Sequence, residues 1–230
     1  MKTIGLIGGM SWESTLAYYR QLNESVKQRL GGFHSARLVL YSVDFAQIEQ
    51  MQREGRWEES GELLAAAARA LEAAGADFFL LGTNTMHKVA PAIEAAVSIP
   101  FIHIADPTGV EARRRGCSVV GLLGTRFTME QAFYRDRFTN EHGLQVVVPG
   151  PEDRETVHRI IYDELCRGVV SDASRDAYRE IMATLVAHGA QAIVLGCTEI
   201  GMLVDQTDAT VPLLDTTALH VGAAVDAALA

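Results

Sequence analysis

The sequence predicts an α/β protein of two similar lobes, each carrying a parallel sheet, and three observations support this. IGLIG at residues 4–8 returns as VGLLG at 120–124, which puts Gly8 and Gly124 at matching positions 116 residues apart. AGADFFLLGTNT at 74–85 returns as HGAQAIVLGCTE at 188–199, which matches Thr83 to Cys197 across 114 residues. Two motifs sharing nearly one offset, about half of a 230-residue chain, mark a duplicated unit. The third observation is the alternation of short apolar runs with helical segments, the rhythm of parallel strands joined by right-handed crossovers.

Taken in order, residues 4–12 (IGLIGGMSW) read as a buried strand entering a glycine turn, with Ser11 and Ser14 placed to cap a helix over 13–30 that stops at Gly31 and Gly32. A second strand is expected over 37–43, ending at Asp44. Alanine, leucine and glutamate dominate 57–74, and Gly75 follows, the composition and stop signal of a helix. A third strand over 78–82 runs into Thr83, Asn84, Thr85, Met86 and His87, and a helix over 88–97 ends before Ser98, Ile99 and Pro100. In the second half, strands are expected at 119–123, 144–148 and 193–195, and helices near 129–137, 152–166 and 174–188. Residues 211–214 (VPLL), Asp215 and a last helix over 217–229 complete the chain. The expected domains are a first lobe at 1–104, a second at 105–208, and a segment at 209–230 returning to the first lobe.

Composition limits the function. Hydrophobic residues make up 48% and charged residues 21%, ordinary for a packed globular protein. A net charge of −9 with no clustered basic face argues against a nucleic-acid partner. No run approaches the roughly 20 apolar residues of a membrane span, and the N-terminus lacks a signal-length apolar segment, so a cytoplasmic protein without membrane attachment is expected. Cys117, Cys166 and Cys197 are an odd number without paired spacing, which suits free thiols better than disulfides or a zinc site.

Cys197 lies in IVLGCTEIGML (193–203), where an apolar run ends in a Gly-Cys-Thr-Glu turn, and strand ends of this kind are where open α/β sheets present reactive groups. The repeat puts Thr83 at the matching turn. With the lobes related by a pseudo-twofold, both turns would face one cleft. The N–H groups and side chains of Asn84, Thr85 and Thr198 would hold a small carboxylate, with Thr83 and Cys197 on opposite faces of its α-carbon. Such an arrangement suits moving a proton from one face of a carbon to the other.

These residues resemble the aspartate/glutamate racemases of the cofactor-independent amino-acid racemase superfamily, over essentially the whole chain. IVLGCTEIGML fits the second signature of that family throughout. LLGTNTMHK (80–88) fits the first at all but one position, and GLIGGMSWEST is similar to the family's opening. The resemblance implies two flavodoxin-like lobes, a homodimer, a small amino-acid substrate, two cysteines as acid and base, and no cofactor, neither pyridoxal phosphate nor metal. By it, Cys197 is the second catalytic cysteine and Thr83 stands where the first would be. Related enzymes with this threonine are described as L-aspartate/glutamate-specific racemases. Cys197 is then expected to deprotonate the L-substrate, with the D-substrate turned over poorly. A thiol titrates near about pH 8.5 and is lowered by N–H donors, so a thiolate base is expected at neutral pH, whereas a threonine hydroxyl cannot rest as an alkoxide.

The same resemblance gives the Met10 backbone and Gln52 as substrate contacts, with Arg53 beside Gln52 as a further candidate. Thr125, at the matching turn of the second lobe, is a weaker candidate of the same kind. Cys166 stands near the place where aspartate racemases carry a substrate-binding lysine, with Arg167 next to it; by itself it reads as structural, as does Cys117. Gly8, Gly9 and Met10 lack both G-x-G-x-x-G and a Lys-Ser/Thr pair, which argues against a nucleotide site. His87, four residues after Thr83, either tunes or holds that residue or caps the helix. Glu199 either orients the thiol's surroundings or complements a helix N-terminus. His103 and Asp106 read as polar hinge residues, and the run 111–115 as a solvated helix end. Two rival functions remain: decarboxylation of an arylmalonate or isomerisation of maleate on the same scaffold, and an amino-acid-binding protein without catalysis.

Overall fold

Every residue of β1 (Ile4–Gly8) is buried in the computed structural model, which describes residues 1–230. A strand with no solvent-facing side belongs at the centre of a sheet covered on both faces. Helix α1 (Trp12–Leu30) follows β1, capped by the Ser11 hydroxyl, which accepts from the Ser14 N–H at 3.3 Å. β1 pairs in parallel with β2 (Leu38–Ser42) on one side; after α2 (Phe45–Glu54) and α3 (Trp57–Ala73), β3 (Phe78–Leu81) pairs on its other side. A 3-10 turn over Thr85–Val89 leads to α4 (Ala90–Glu94), and β4 (Phe101–Ile102) adds to the far edge of β3. The order is β2-β1-β3-β4.

Side chains alternate across this sheet, as strand geometry requires. Ile4, Leu6, Phe78 and Leu80 pack with Tyr18, Leu22 and Val26 of α1, while Ile7, Phe79 and Leu81 pack with Leu64, Ala67, Ala68 and Leu71 of α3. Each large aliphatic side chain fully removed from water contributes roughly 1.5–3 kcal/mol, which sets the register of both faces.

The turn after β1 depends on one glycine. Gly9 has φ +91°, and a Cβ there would lie 2.2 Å from the Val43 carbonyl oxygen and 2.7 Å from the Val43 nitrogen. Backbone cannot yield as a side-chain tip can, so Gly9→Ala is expected to cost about 3 kcal/mol or more in denaturant unfolding. A variant as stable as the parent would show that the turn can be redrawn.

The second unit repeats the plan. After α5 (Ala105–Arg114), β5 (Val119–Gly124) is followed by α6 (Arg126–Glu130), α7 (Ala132–His142), β6 (Gln145–Val147), α8 (Pro151–Asp163), α9 (Asp172–Ala187), β7 (Ala192–Gly196) and β8 (Leu213–Asp215), giving the order β6-β5-β7-β8, all parallel. Its core joins Leu123, Ile193 and Leu195 to Val157, Ile160 and Ile161 of α8 and to Tyr178, Ile181, Met182 and Leu185 of α9. A Cβ on Gly124 would come within 2.7 Å of the Gly196 carbonyl oxygen, so this glycine lets the ends of β5 and β7 approach.

The chain divides into unit 1, Met1–Ile104 with His220–Ala230, and unit 2, Ala105–Leu219. The segment expected to return from residue 209 therefore stays in unit 2 as far as Leu219. Its β8 finds a parallel partner in β7, and Ala209, Val211 and Leu213 pack on the unit 2 core. Only within the last helix, α10 (Thr216–Leu229), does the packing change, when the stripe Val221, Ala224, Val225 and Ala228 covers the β1 and β3 face of unit 1.

Other departures from the sequence reading are local. The helix expected over 88–97 is split into the 3-10 turn and the short α4, which begins with a proline in its first turn. The one expected over 129–137 is two helices broken at Gln131, whose backbone is extended at φ −85°, ψ 149°. No helix is long and apolar enough to cross a membrane.

Candidate active site

In unit 1 the chain leaves β3 through Gly82, whose N–H donates to the Ile7 carbonyl at 2.8 Å, and then turns sharply: the Thr83 N–H donates back to the Leu81 carbonyl at 2.9 Å. That bond uses the Thr83 N–H within the turn. Thr83, Asn84 and Thr85 are all buried, at 7%, 3% and 5% exposure. His87 settles between the roles left open for it: its Nδ1 lies 2.7 Å from the Thr83 carbonyl oxygen, so it holds the turn through the backbone. Met10 belongs to the core with Ile7, Ile48 and Met86. The Gln52 amide donates to Met86 Sδ at 3.0 Å, in a buried setting, while Arg53 pairs with Glu49 at 3.4 Å on the surface.

In unit 2, Cys197 and Glu199 follow β7 and are 8% and 2% exposed. The Cys197 thiol donates to Glu199 Oε2 at 2.9 Å, and the Thr198 hydroxyl donates to the same oxygen at 2.7 Å. Cys166 Sγ stands 3.8 Å from the other carboxylate oxygen, so two thiols and a hydroxyl converge on one buried acid. A buried carboxylate with such donors is satisfied, which is what its burial demands.

This geometry reverses one expectation. Burial pushes the Cys197 thiol well above its ordinary range, and the Glu199 carboxylate and then Cys166 push it the same way; the Glu199 backbone N–H opposes them more weakly. Both causes penalise the thiolate: low polarity disfavours the anion, and a neighbouring negative charge repels it. Cys197 therefore rests as a protonated thiol whose hydrogen points at a carboxylate. Burial, then Asp106 and Cys197, raise the Tyr134 phenol above its ordinary range as well.

The comparisons with known proteins agree on one family. Its profile, described as Asp/Glu/Hydantoin racemase, matches residues 7–224. The chain belongs to the Asp/Glu/hydantoin racemase family. A candidate Asp/Glu racemase from Yersinia pestis is 56% identical with a TM-score of 0.93, and each chain is covered over 100% of its length. An aspartate racemase homologue from Pyrococcus horikoshii OT3 is 35% identical with a TM-score of 0.86, again over 100% of both chains. The broad specificity amino-acid racemase RacX of Bacillus subtilis (strain 168) is 22% identical over 225 residues, 94% of this chain and 93% of that protein. These relatives place this member of the racemase family among the isomerases.

In this racemase-family chain several of the predicted site residues, and their neighbours, make local bonds. The Thr125 side chain caps α6, accepting from the Thr128 N–H at 3.3 Å. Thr198 turns its hydroxyl to Glu199. His103 lies in unit 1 with its ring 4.3 Å from that of His87, whereas Asp106 in unit 2 grips Arg137 through two bonds of 2.8 and 2.6 Å and meets His142 at 3.2 Å. Glu111 binds Arg114 and Arg115 at 2.6 Å each, and the Arg114 contact leads in lowering its carboxyl to about 2. His220, which no motif singled out, joins His87 and His103 in a buried cluster, and only its position in the folded chain reveals this.

Proposed function

We propose that the protein racemises L-aspartate or L-glutamate without an organic cofactor or metal, with Cys197 taking the α-proton from the L-face and the Thr83 side returning one to the opposite face. The observation that carries this reading is the buried Cys197–Glu199 hydrogen bond at the end of β7. A thiol held on a carboxylate has a place to send its proton. As substrate binds, Glu199 takes the thiol hydrogen, the thiolate removes the α-hydrogen and becomes a thiol again, and the Thr83 side gives a hydrogen to the opposite face. Glu199 then releases its proton to water and the Thr83 side regains one from water. Without an electron-sink cofactor, electrostatic stabilisation of the carbanion supplies most of the barrier lowering, so a modest rate follows. Asn84, Thr85 and Thr198 are proposed to hold the substrate carboxylate, with Met10 and Gln52 beside them and Thr125 contributing mainly through the turn it caps.

The reading includes a cytoplasmic homodimer. Trp12, Leu16 and Tyr19 form an apolar stripe along α1, 65%, 59% and 52% exposed, and Leu40 and Tyr41 are exposed on the edge strand β2. Surfaces of this kind mark association sites.

The test is solvent deuterium incorporation into L- and D-aspartate and L- and D-glutamate. Incorporation into an L-form is expected, with slow appearance of deuterated D-form; no incorporation into any of the four overturns the reading. Thr83→Cys is expected to raise turnover of the D-enantiomer by about tenfold or more, because a thiol forms an anion far more readily than a hydroxyl. Unchanged D-turnover would count against the assignment of faces. A second reading, decarboxylation of a malonate-type diacid, is favoured by the resting thiol: carbon dioxide leaves and the carbanion takes the Cys197 hydrogen. Release of carbon dioxide from a panel of malonates separates the two.

A further inference from the structure

Three histidines, His87, His103 and His220, are buried together in unit 1, and the reaction proposed above uses none of them directly. The partners of two fix their tautomers. A carbonyl only accepts, so His87 Nδ1 donates its hydrogen to the Thr83 oxygen at 2.7 Å; the Ile104 N–H donates to His87 Nε2 at 3.1 Å, so that nitrogen carries the lone pair. Likewise His220 Nε2 donates to the Ile102 carbonyl at 2.8 Å and its Nδ1 accepts from the Tyr18 hydroxyl at 2.8 Å. The His87 ring stacks on Phe101 at 5.4 Å and 27°, with His103 against it. A second hydrogen on either His87 or His220 would face an N–H or O–H donor. Burial, then the neighbouring imidazoles, hold the His87 pKa well below the ordinary histidine range.

The cluster occupies a particular place in the chain. Backbone leaves unit 1 after Ile104 and re-enters it at His220. Both crossing points are thus bound to the cluster, Ile104 through His87 and the returning helix through His220 itself, and the Thr83 turn is bound to it too. His87 is no proton relay to the Thr83 hydroxyl, because its only hydrogen is committed to the Thr83 carbonyl.

We propose that His87 is a positioning residue for the Thr83 turn: its Nδ1–H fixes the Thr83 carbonyl, and its Nε2 fixes that turn to Ile104, the last residue before the crossing. The inference rests on the role proposed for Thr83. A turn anchored at both nitrogens holds the Thr83 hydroxyl in one orientation, and small misplacements of a reacting group are costly in rate.

Two substitutions dissect the two bonds. His87→Asn places an amide where Nδ1 was and keeps a donor for the Thr83 carbonyl; His87→Gln places one where Nε2 was and keeps only an acceptor for Ile104. In deuterium oxide, starting from the L-amino acid, two rates are followed: deuterium entering the L-form, which reports Cys197, and deuterated D-form appearing, which reports the Thr83 side. His87→Gln is expected to lower the second rate about tenfold relative to the first, and His87→Asn to stay within about threefold of the parent. Equal loss of both rates in His87→Gln, or no advantage of Asn over Gln, overturns the proposal. Should the parent show neither rate, the reading of the reaction fails on its own, and nitrogen-15 NMR of the His87 ring decides the positioning claim. An Nδ1–H ring at neutral pH supports the claim, and an Nε2–H ring or an imidazolium overturns it.

Discussion

Replacing Cys197 with alanine is expected to stop deuterium entry into L-aspartate and L-glutamate, a loss of roughly a thousandfold or more, as for removal of a reacting nucleophile or base. The reason is local: the sulfur proposed to take the α-hydrogen is lost, and the Glu199 carboxylate, which accepts the thiol hydrogen at 2.9 Å, is left with no thiol to act through. The control is Cys166, whose sulfur stands 3.8 Å from the other Glu199 oxygen. Cys166→Ser keeps a donor there and is expected to retain most of the rate. Folding survives both changes: Cys197→Ala removes one hydrogen bond, worth about 1 kcal/mol, and leaves Glu199 the Thr198 and Cys166 donors, and Cys166→Ser keeps all three donors. Exchange persisting in Cys197→Ala at the parent rate would remove Cys197 from the mechanism.

The second large effect is expected at Glu199, where two influences of opposite sign meet. As a charge beside Sγ, the carboxylate makes the thiolate costly; as the acceptor of the thiol hydrogen, it is where that proton goes. Because the resting thiol titrates above its ordinary range, the parent's L-exchange is expected to climb with pH through the neutral region. Glu199→Gln removes the charge, so the thiol ionises at lower pH and the climb moves to lower pH. It also removes the base, so the rate at neutral pH falls by roughly 10²–10⁴, the usual worth of a positioned general base. A pH–rate profile of L-exchange reads both. A rate at neutral pH above the parent's would show that Glu199 acts only as a repelling neighbour.

Much of the architecture was legible because parallel strands buried on both faces read as unbroken apolar runs, and β1, β3, β5 and β7 all do. The duplication then put Thr83 and Cys197 at matching strand ends. Helix α2 has an apolar stripe, Phe45, Ile48 and Met51, but it is only three residues in a ten-residue segment rich in glutamine and glutamate, and Ile48 alone of the three is fully buried, so it is a weak signal in the sequence. Strand β4 is two residues long, too short to carry a period. The local bonds of Thr125 and Thr198 were not legible for another reason: a threonine in a turn after a strand can face a ligand, a helix N-terminus or a neighbouring acid, and sequence spacing is the same in all three.

The sequence by itself establishes the duplicated parallel-sheet fold, the racemase resemblance and the two turns on which the chemistry depends, since all are written in local runs and their repeat. Folding alone sets the protonation of Cys197 and the hold on Thr83. Those follow from burial beside the Glu199 carboxylate, and from Ile104 and His220, which lie 17 and more than 100 residues from His87 in the chain, reaching one histidine cluster. Electric fields and hydrogen-bond partners depend on distances in space, and residue spacing along a chain does not specify them.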